Sequence, residues 1–87
     1  MRGIITVLGG DQVGIIAKVC TFLADRNVNI LDISQTIVQN YFNMLMIVDI
    51  SGIDLNTLID GLDAVGLEMG VHIKFQHEDI FKSMHRL

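Results

Sequence analysis

The stretch VLGGDQVGIIAKV, which runs from Val7 to Val19, passes from a β-branched segment through three glycines into a helical pattern. Residues 2–8 are rich in β-branched side chains, and apolar residues recur at helical spacing from about Asp11 to Arg26. The stretch therefore predicts a strand, a glycine-containing loop and a helix. Glycines at such a junction either permit a tight turn or let a ligand approach the backbone, and the residues alone leave both interpretations open.

The rest of the chain adds three strands and a second helix. Residues 29–38 alternate between apolar and polar side chains, as a half-buried strand requires. The apolar face of this strand is formed by Leu31, Ile33 and Ile37. A hairpin turn at residues 40–41 leads to a strand over 42–50, then a helical stripe covers 55–69 and a last strand begins at 71. The expected caps of the second helix are Asp54 and Gly70.

The element order is βαββαβ, in two half-repeats of strand, helix and strand. With right-handed crossovers, this order predicts an α+β ferredoxin-like sandwich with an antiparallel sheet in the order 4-1-3-2 and both helices on one face. The two central strands, at residues 4–8 and 44–48, are apolar on both faces, whereas the edge strands alternate. Because the helices cover only one face, the other meets a second chain or stays exposed, and we expect a homo-oligomer.

Length and composition limit the possible functions. The 87 residues are 51% apolar and 18% charged, and they predict one domain over 1–77 followed by a short helical tail over 78–87. The apolar side of that tail is formed by Ile80, Phe81 and Met84. A net charge of −4 with scattered basic residues argues against nucleic acid and anionic membranes as partners. The N-terminus resembles neither a signal peptide nor a membrane span, so a cytoplasmic protein is expected.

The inventory of reactive side chains favours a binding module over an enzyme. The single cysteine, Cys20, has the surroundings of a core residue on a helix, and the three histidines have no metal-binding spacing, so neither metal nor cofactor is expected. Among enzymes and carriers of the same element order, acylphosphatases need an arginine in the first loop and metal carriers need a cysteine pair there. The segment GGDQVG has neither. The central strands also lack the exposed aromatics of RNA-binding members.

Three segments, GGDQVGIIAKV, NVNILDISQT and YFNMLMIVDI, together resemble the ACT domain, a small regulatory module that senses amino acids in metabolic enzymes. The resemblance spans nearly the whole chain. The chain is similar to short stand-alone ACT proteins and to the ACT domains of the glycine-cleavage repressor and formyltetrahydrofolate deformylase. In that pattern Asp, two variable positions and Gly open the first helix, here Asp11 to Gly14. The common form has Arg and Pro at the variable positions, where this chain has Gln12 and Val13.

The resemblance and the helix start together define a candidate ligand site. A helix N-terminus leaves backbone N–H groups without internal partners and attracts a carboxylate, while Asp11 either caps the helix or holds an ammonium group. We therefore predict that a zwitterionic amino acid binds at the first loop, completed by the adjoining strand or by a second subunit. The candidate residues are Gly10, Asp11, Gln12, Val13, Gly14, Ile15, Asn27, Asn29 and Ile30.

Two questions remain open at the level of sequence. The glycines could serve only the turn, and Asn27 could simply end the first helix in a left-handed conformation; the chain would then be a structural protein–protein interaction domain without a ligand. Assembly could occur edge to edge, which extends the sheet, or face to face. Face-to-face packing would hide Ile4 or Ile5 with Met44 or Leu45.

Overall fold

The computed structural model describes residues 1–10 and 13–79. Its elements are β1 (Arg2–Gly10), α1 (Ile15–Asp25), β2 (Asn29–Val38), β3 (Tyr41–Asp49), α2 (Leu55–Met69) and β4 (His72–His77). The four strands form one antiparallel sheet in the order β2-β3-β1-β4. This confirms the predicted ferredoxin-like order 4-1-3-2. The predicted tail residues Ile80, Phe81 and Met84 lie outside the described residues.

The core lies between the two helices and one face of the sheet. Its fully buried side chains include Ile5, Val7, Ile15, Val19, Leu23, Met44, Met46, Val48, Leu58 and Leu62. The predicted helical stripes are confirmed at their centres, whereas Ile16 and Ile59, on the flanks of the stripes, remain 38% and 36% exposed. Cys20 is half-buried beside this core, and burial raises the pKa of its thiol.

The face of the sheet away from the helices, here called the open face, mixes apolar and polar side chains. Ile4 lies between Ile47 and Gln76 in the register, and Thr6 lies between Leu45 and Lys74. The prediction that the central strands are apolar on both faces is therefore confirmed at Ile4, Leu45 and Ile47. Ile5 and Met44 are fully buried in the core, so the expectation that face-to-face packing hides them is wrong. Ile4 is only 4% exposed in the single chain, which leaves Leu45 as the half-buried residue of the four.

The two edges of the sheet differ. Nine of the ten residues of β2 are exposed, and only Ile30 is half-buried. A β-bulge between Ile30 and Asp32 leaves Leu31 outside the pairing register, so the predicted continuous alternation is interrupted there. Beyond the bulge, Ile33 pairs with Met46 on the core side. At the other edge, β4 has six residues.

Turns and caps follow the local chemistry of the sequence. The hairpin turn is formed by Gln39 and Asn40, with φ of 49° and 71°, one residue earlier than predicted. Asp54 caps α2 and Gly70 ends it with φ of 69°, as expected. Asn27 follows α1 with φ of 59°, which confirms the predicted left-handed end of that helix.

Asp49, the last residue of β3, holds the following turn. Its Oδ1 accepts hydrogen bonds from the Ser51 N–H at 3.0 Å and from the Ser51 hydroxyl at 2.8 Å. These bonds favour the charged form and hold the pKa of the Asp49 carboxyl below its usual value. A carboxyl whose pKa is lower in the folded chain binds fewer protons there than in the unfolded chain. Its stabilising contribution is therefore present above the unfolded pKa, about 3.9, and is lost as pH falls through the folded pKa.

We expect Asp49→Asn to remove this part of the acid sensitivity. Wild type should be the more stable protein at about pH 6, and its advantage should shrink steadily towards about pH 3. Urea unfolding followed at several pH values measures the difference. Ser51→Ala, which keeps the backbone N–H and removes the hydroxyl, should give an intermediate curve. Parallel curves for wild type and Asp49→Asn would contradict the assignment.

Candidate functional site

The junction between β1 and α1, here called the glycine loop (residues 10–15), forms one half of the predicted site. The N-cap of α1 is Gly14, with φ of 94°, so the expectation that the helix starts at about Asp11 is wrong. The left-handed backbone at this position disfavours any residue with a side chain and explains why a glycine stands there. The first bond of the helix runs from the Lys18 N–H to the Gly14 carbonyl at 2.9 Å. Because Gly14 has no side chain, the cap itself offers no acceptor to the first turn; Asp11 and Gln12 lie outside the described residues.

The three glycines of this region have different roles. A side chain at Gly9 would crowd Val71, since an added Cβ would lie 2.8 Å from the Val71 Cγ1. Gly14 is required by its backbone conformation. At Gly10 an added Cβ would meet no atom of the described residues within 4 Å. Gly10 is therefore needed neither for packing nor for an unusual φ, and the backbone beside it is accessible from outside.

The other half of the predicted site lies at the opposite end of the sheet. Gly10 pairs with Tyr41, which pairs with Val38 at the end of β2, whereas the start of β2, at Asn29, pairs with Asp49 and through it with Arg2. From Arg2 to Gly10 there are eight residue steps of about 3.4 Å, or roughly 27 Å. The structure therefore brings Val13, Gly14 and Ile15 close to Gly10, but it places the other candidates at the far end. Those distant candidates are Asn27, Asn29 and Ile30.

A cavity of about 410 Å³ lies at this far end, where α1 ends and α2 begins. It is here called the helix-junction cavity, and it is lined by Arg26, Asn27, Ser51, Gly52, Ile53, Asp54, Thr57 and Leu58. Of the candidates predicted from sequence, Asn27 is part of it. Its volume falls within the range of small-molecule sites, about 300–1,000 Å³.

Two charged side chains dominate the lining of the helix-junction cavity. The Arg26 guanidinium carbon lies 3.8 Å from the centre of the Phe22 ring, in a cation–π contact. The Asp54 carboxylate caps α2, since Oδ1 accepts from the Asn56 N–H at 3.1 Å and Oδ2 accepts from the Thr57 hydroxyl at 3.0 Å. The cavity therefore presents a cation held by a ring and an anion already engaged by a helix.

Sequence reasoning missed this cavity because its lining residues come from two distant segments. Neither the end of α1 nor residues 51–58 carries a motif associated with binding. The available signal was the βαββαβ order itself. Since each successive strand or helix reverses the direction of the chain, that order returns the end of the first helix and the start of the second to the same end of the sheet.

The sequence matches a family model described as ACT domain over residues 3–76. The chain belongs to the ACT domain family. ACT domains are typically regulatory ligand-binding modules. The chain is 52% identical to a UPF0237 protein of Bifidobacterium longum, over 99% of this chain and 98% of that protein. It is 38% identical to a solved ACT domain protein from Streptococcus pneumoniae, with a TM-score of 0.83 and 94% of each chain covered.

The resemblance of this ACT domain to parts of larger proteins is also confirmed. A solved formyltetrahydrofolate deformylase from Pseudomonas syringae is 25% identical, with a TM-score of 0.80, over 87% of this chain and 27% of the deformylase. The glycine cleavage repressor shares the fold, with a TM-score of 0.79 at 21% identity, over 88% of this chain and 47% of the other. Within residues 1–10 and 13–79, no helix is long and apolar enough to cross a membrane.

Proposed function

We propose that this ACT domain is a non-enzymatic regulatory module that acts as a homodimer and binds an amino acid between its subunits. Each site would consist of the glycine loop of one subunit and Asn27, Asn29 and Ile30 of the other. The observation that carries the proposal is the separation of these two groups. Within one chain they lie at opposite ends of the sheet, roughly 27 Å apart at about 3.4 Å per residue, so only a second subunit brings them together.

Antiparallel pairing of β2 with the β2 of a second copy produces that arrangement. In such a pair, a two-fold axis through the middle of β2 sets the start of one strand beside the end of the other. Val38, at the end of β2, lies at the same end of the sheet as Gly10, whereas Asn29 lies at the other end. Each end of the joint would therefore carry a glycine loop from one subunit and an Asn29 from its partner, which gives two equivalent sites.

The character of β2 favours this edge over β4. A long, exposed and apolar edge strand is a template for pairing with another chain. Along β2 the only charged residue is Asp32, and Ile33, Ile37 and Val38 are 40%, 57% and 63% exposed. β4 is shorter by four residues and carries Lys74.

The chemistry of the glycine loop suits the α-carboxylate and α-ammonium groups of an amino acid. Backbone N–H groups of Val13 to Ile15, at the positive end of α1, would bind the carboxylate. Asp11 would hold the ammonium group, and the amide of the partner's Asn29 would donate or accept further hydrogen bonds. Ligand bound across the joint would stabilise one arrangement of the two subunits, which a partner protein could recognise.

We expect Gly10→Val to abolish amino-acid binding without unfolding the protein. An added Cβ meets no atom of the described residues within 4 Å, so stability should be retained, but the valine fills the space beside the loop backbone. For wild type, a ligand at about 100 times its Kd contributes about 2.7 kcal/mol, which raises the Tm of a domain of this size by about 10 °C or more. A thermal-shift screen with the common amino acids, followed by calorimetry on both proteins, measures the effect.

The Tm of unliganded Gly10→Val is the control, since it should equal that of wild type. Equal amino-acid binding by both proteins would place the site elsewhere. If no amino acid shifts the wild-type Tm, the proposal fails and the alternative of a structural interaction domain is supported.

A further inference from the structure

We propose that the amino acid recognised by this module has an acidic side chain, and that its side-chain carboxylate binds Arg26 in the helix-junction cavity. This inference rests on the proposed function, because it assigns the ligand's side chain to the far half of the composite site. Asn27 makes the connection: it belongs to the candidate ligand residues and also lines the cavity next to Arg26. In the proposed pairing, the end of the sheet that carries the helix-junction cavity of one subunit would lie beside the end that carries the glycine loop of the other.

Arg26 is held in place by its neighbours. Its guanidinium stacks on the Phe22 ring at 3.8 Å, and that ring lies directly against the backbone of α2 at Gly61. A side chain at Gly61 would overlap the ring and lie 3.7 Å from the Arg26 Nε. The absence of a side chain at this position therefore lets the ring and the guanidinium settle against α2. A cation fixed in this way loses little conformational freedom when it binds an anion.

Arg26 also retains unused hydrogen-bonding capacity. Arg2 and Lys18 pair with Glu78 and Glu68 at 3.5 and 3.0 Å. For Arg26, no carboxylate within residues 1–10 and 13–79 forms an ion pair, and the one hydrogen bond of its side chain there is a long contact from Nη1 to the Phe22 carbonyl at 3.5 Å. A guanidinium has five N–H donors in a fork that matches a carboxylate.

The Asp54 carboxylate, which also lines the cavity, does not cancel this cation. One of its oxygens accepts the Asn56 N–H and the other accepts the Thr57 hydroxyl, so both act in the cap of α2. The positive end of the α2 dipole further offsets its charge. Arg26 is thus the group of the cavity best suited to select a ligand, and the group that it selects is a carboxylate.

The test compares acidic amino acids with their amides. We expect wild type to bind glutamate or aspartate at least about tenfold more tightly than glutamine or asparagine, because a charge-assisted bond to Arg26 is lost in the amides. Arg26→Gln should remove this preference and leave the affinity for the amide within about twofold of wild type. Arg26→Lys should keep part of the preference. Calorimetry with each of the four amino acids measures the effect, and Lys74→Gln, a charge change on β4, is the matched control.

The outcomes separate this inference from the function on which it rests. A preference for the acid that persists in Arg26→Gln overturns the assignment to Arg26. Preferential binding of an apolar amino acid, lost in Gly10→Val, overturns the inference while the proposed function stands. If no amino acid binds wild type, both fail.

Discussion

Ile33→Lys is expected to dissociate the homodimer and, with it, to abolish amino-acid binding. Ile33 lies near the middle of β2 and is 40% exposed, so in the proposed pairing the two copies of this residue lie close to the two-fold axis. Two lysines there would bring like charges together and leave them poorly hydrated, at a cost of several kcal/mol. We therefore expect the dimer Kd to rise by about 100-fold or more. Light scattering over a dilution series, with the monomer at 9.7 kDa, measures this change.

A matched control is the same substitution at Ile59, which lies on α2 and is 36% exposed. Ile59→Lys adds the same charge to the same molecule, away from the edge of the sheet, and should leave both the dimer and ligand binding intact. If both variants remain dimeric, the edge-to-edge mode is wrong, and pairing through the open face near Leu8 and Leu45 becomes the mode to test. A monomeric wild type at micromolar concentration would contradict both modes.

Leu62→Ala is expected to destabilise the fold by about 2–5 kcal/mol. Leu62 is 1% exposed on α2 and belongs to the core that joins both helices to the sheet. For 87 residues the whole free energy of unfolding is about 4–13 kcal/mol, so the loss is a large share of it. Urea or thermal unfolding of the purified variant measures the effect.

Leu67 provides the matched control because it lies on the same helix and is 86% exposed. Leu67→Ala makes the same chemical change at nearly the same helix propensity, so we expect it to alter stability by no more than about 0.5 kcal/mol. Similar losses in the two variants would mean that Leu67 is covered in solution, for example by another chain.

The fold was predictable from the sequence where the signals are local. Helical spacing marked Val19 and Leu23 as core residues, and apolar runs on both faces marked β1 and β3 as the central strands. Capping chemistry at Asp54 and Gly70 fixed the limits of α2. Each of these signals depends on neighbours within a few positions, so a single sequence contains them.

Features that depend on pairing between distant segments were not predictable. The bulge at Leu31 exists only relative to β3. The start of α1 at Ile15 is a separate case, because the residue pattern did not distinguish it from an earlier start at Asp11. The sequence indicated the glycine loop as a candidate site, but the distance between that loop and Asn29 depends on the sheet register, which the sequence alone does not show. Arg26 and Thr57 line the same helix-junction cavity although they are 31 positions apart in the sequence, and no local pattern indicates that they are close in space.

The separation of Gly10 from Asn29 also has a consequence for how such a module would respond in a cell. If each metabolite molecule must touch two chains and the unliganded subunits exchange between monomer and dimer, the metabolite links the two chains, and the concentration at which it binds depends on how much of the protein is present. A cell that makes more of the protein would sense a lower level of the metabolite, without any change in the contacts at the site. The abundance of the protein, as well as its sequence, would then set the threshold of the signal.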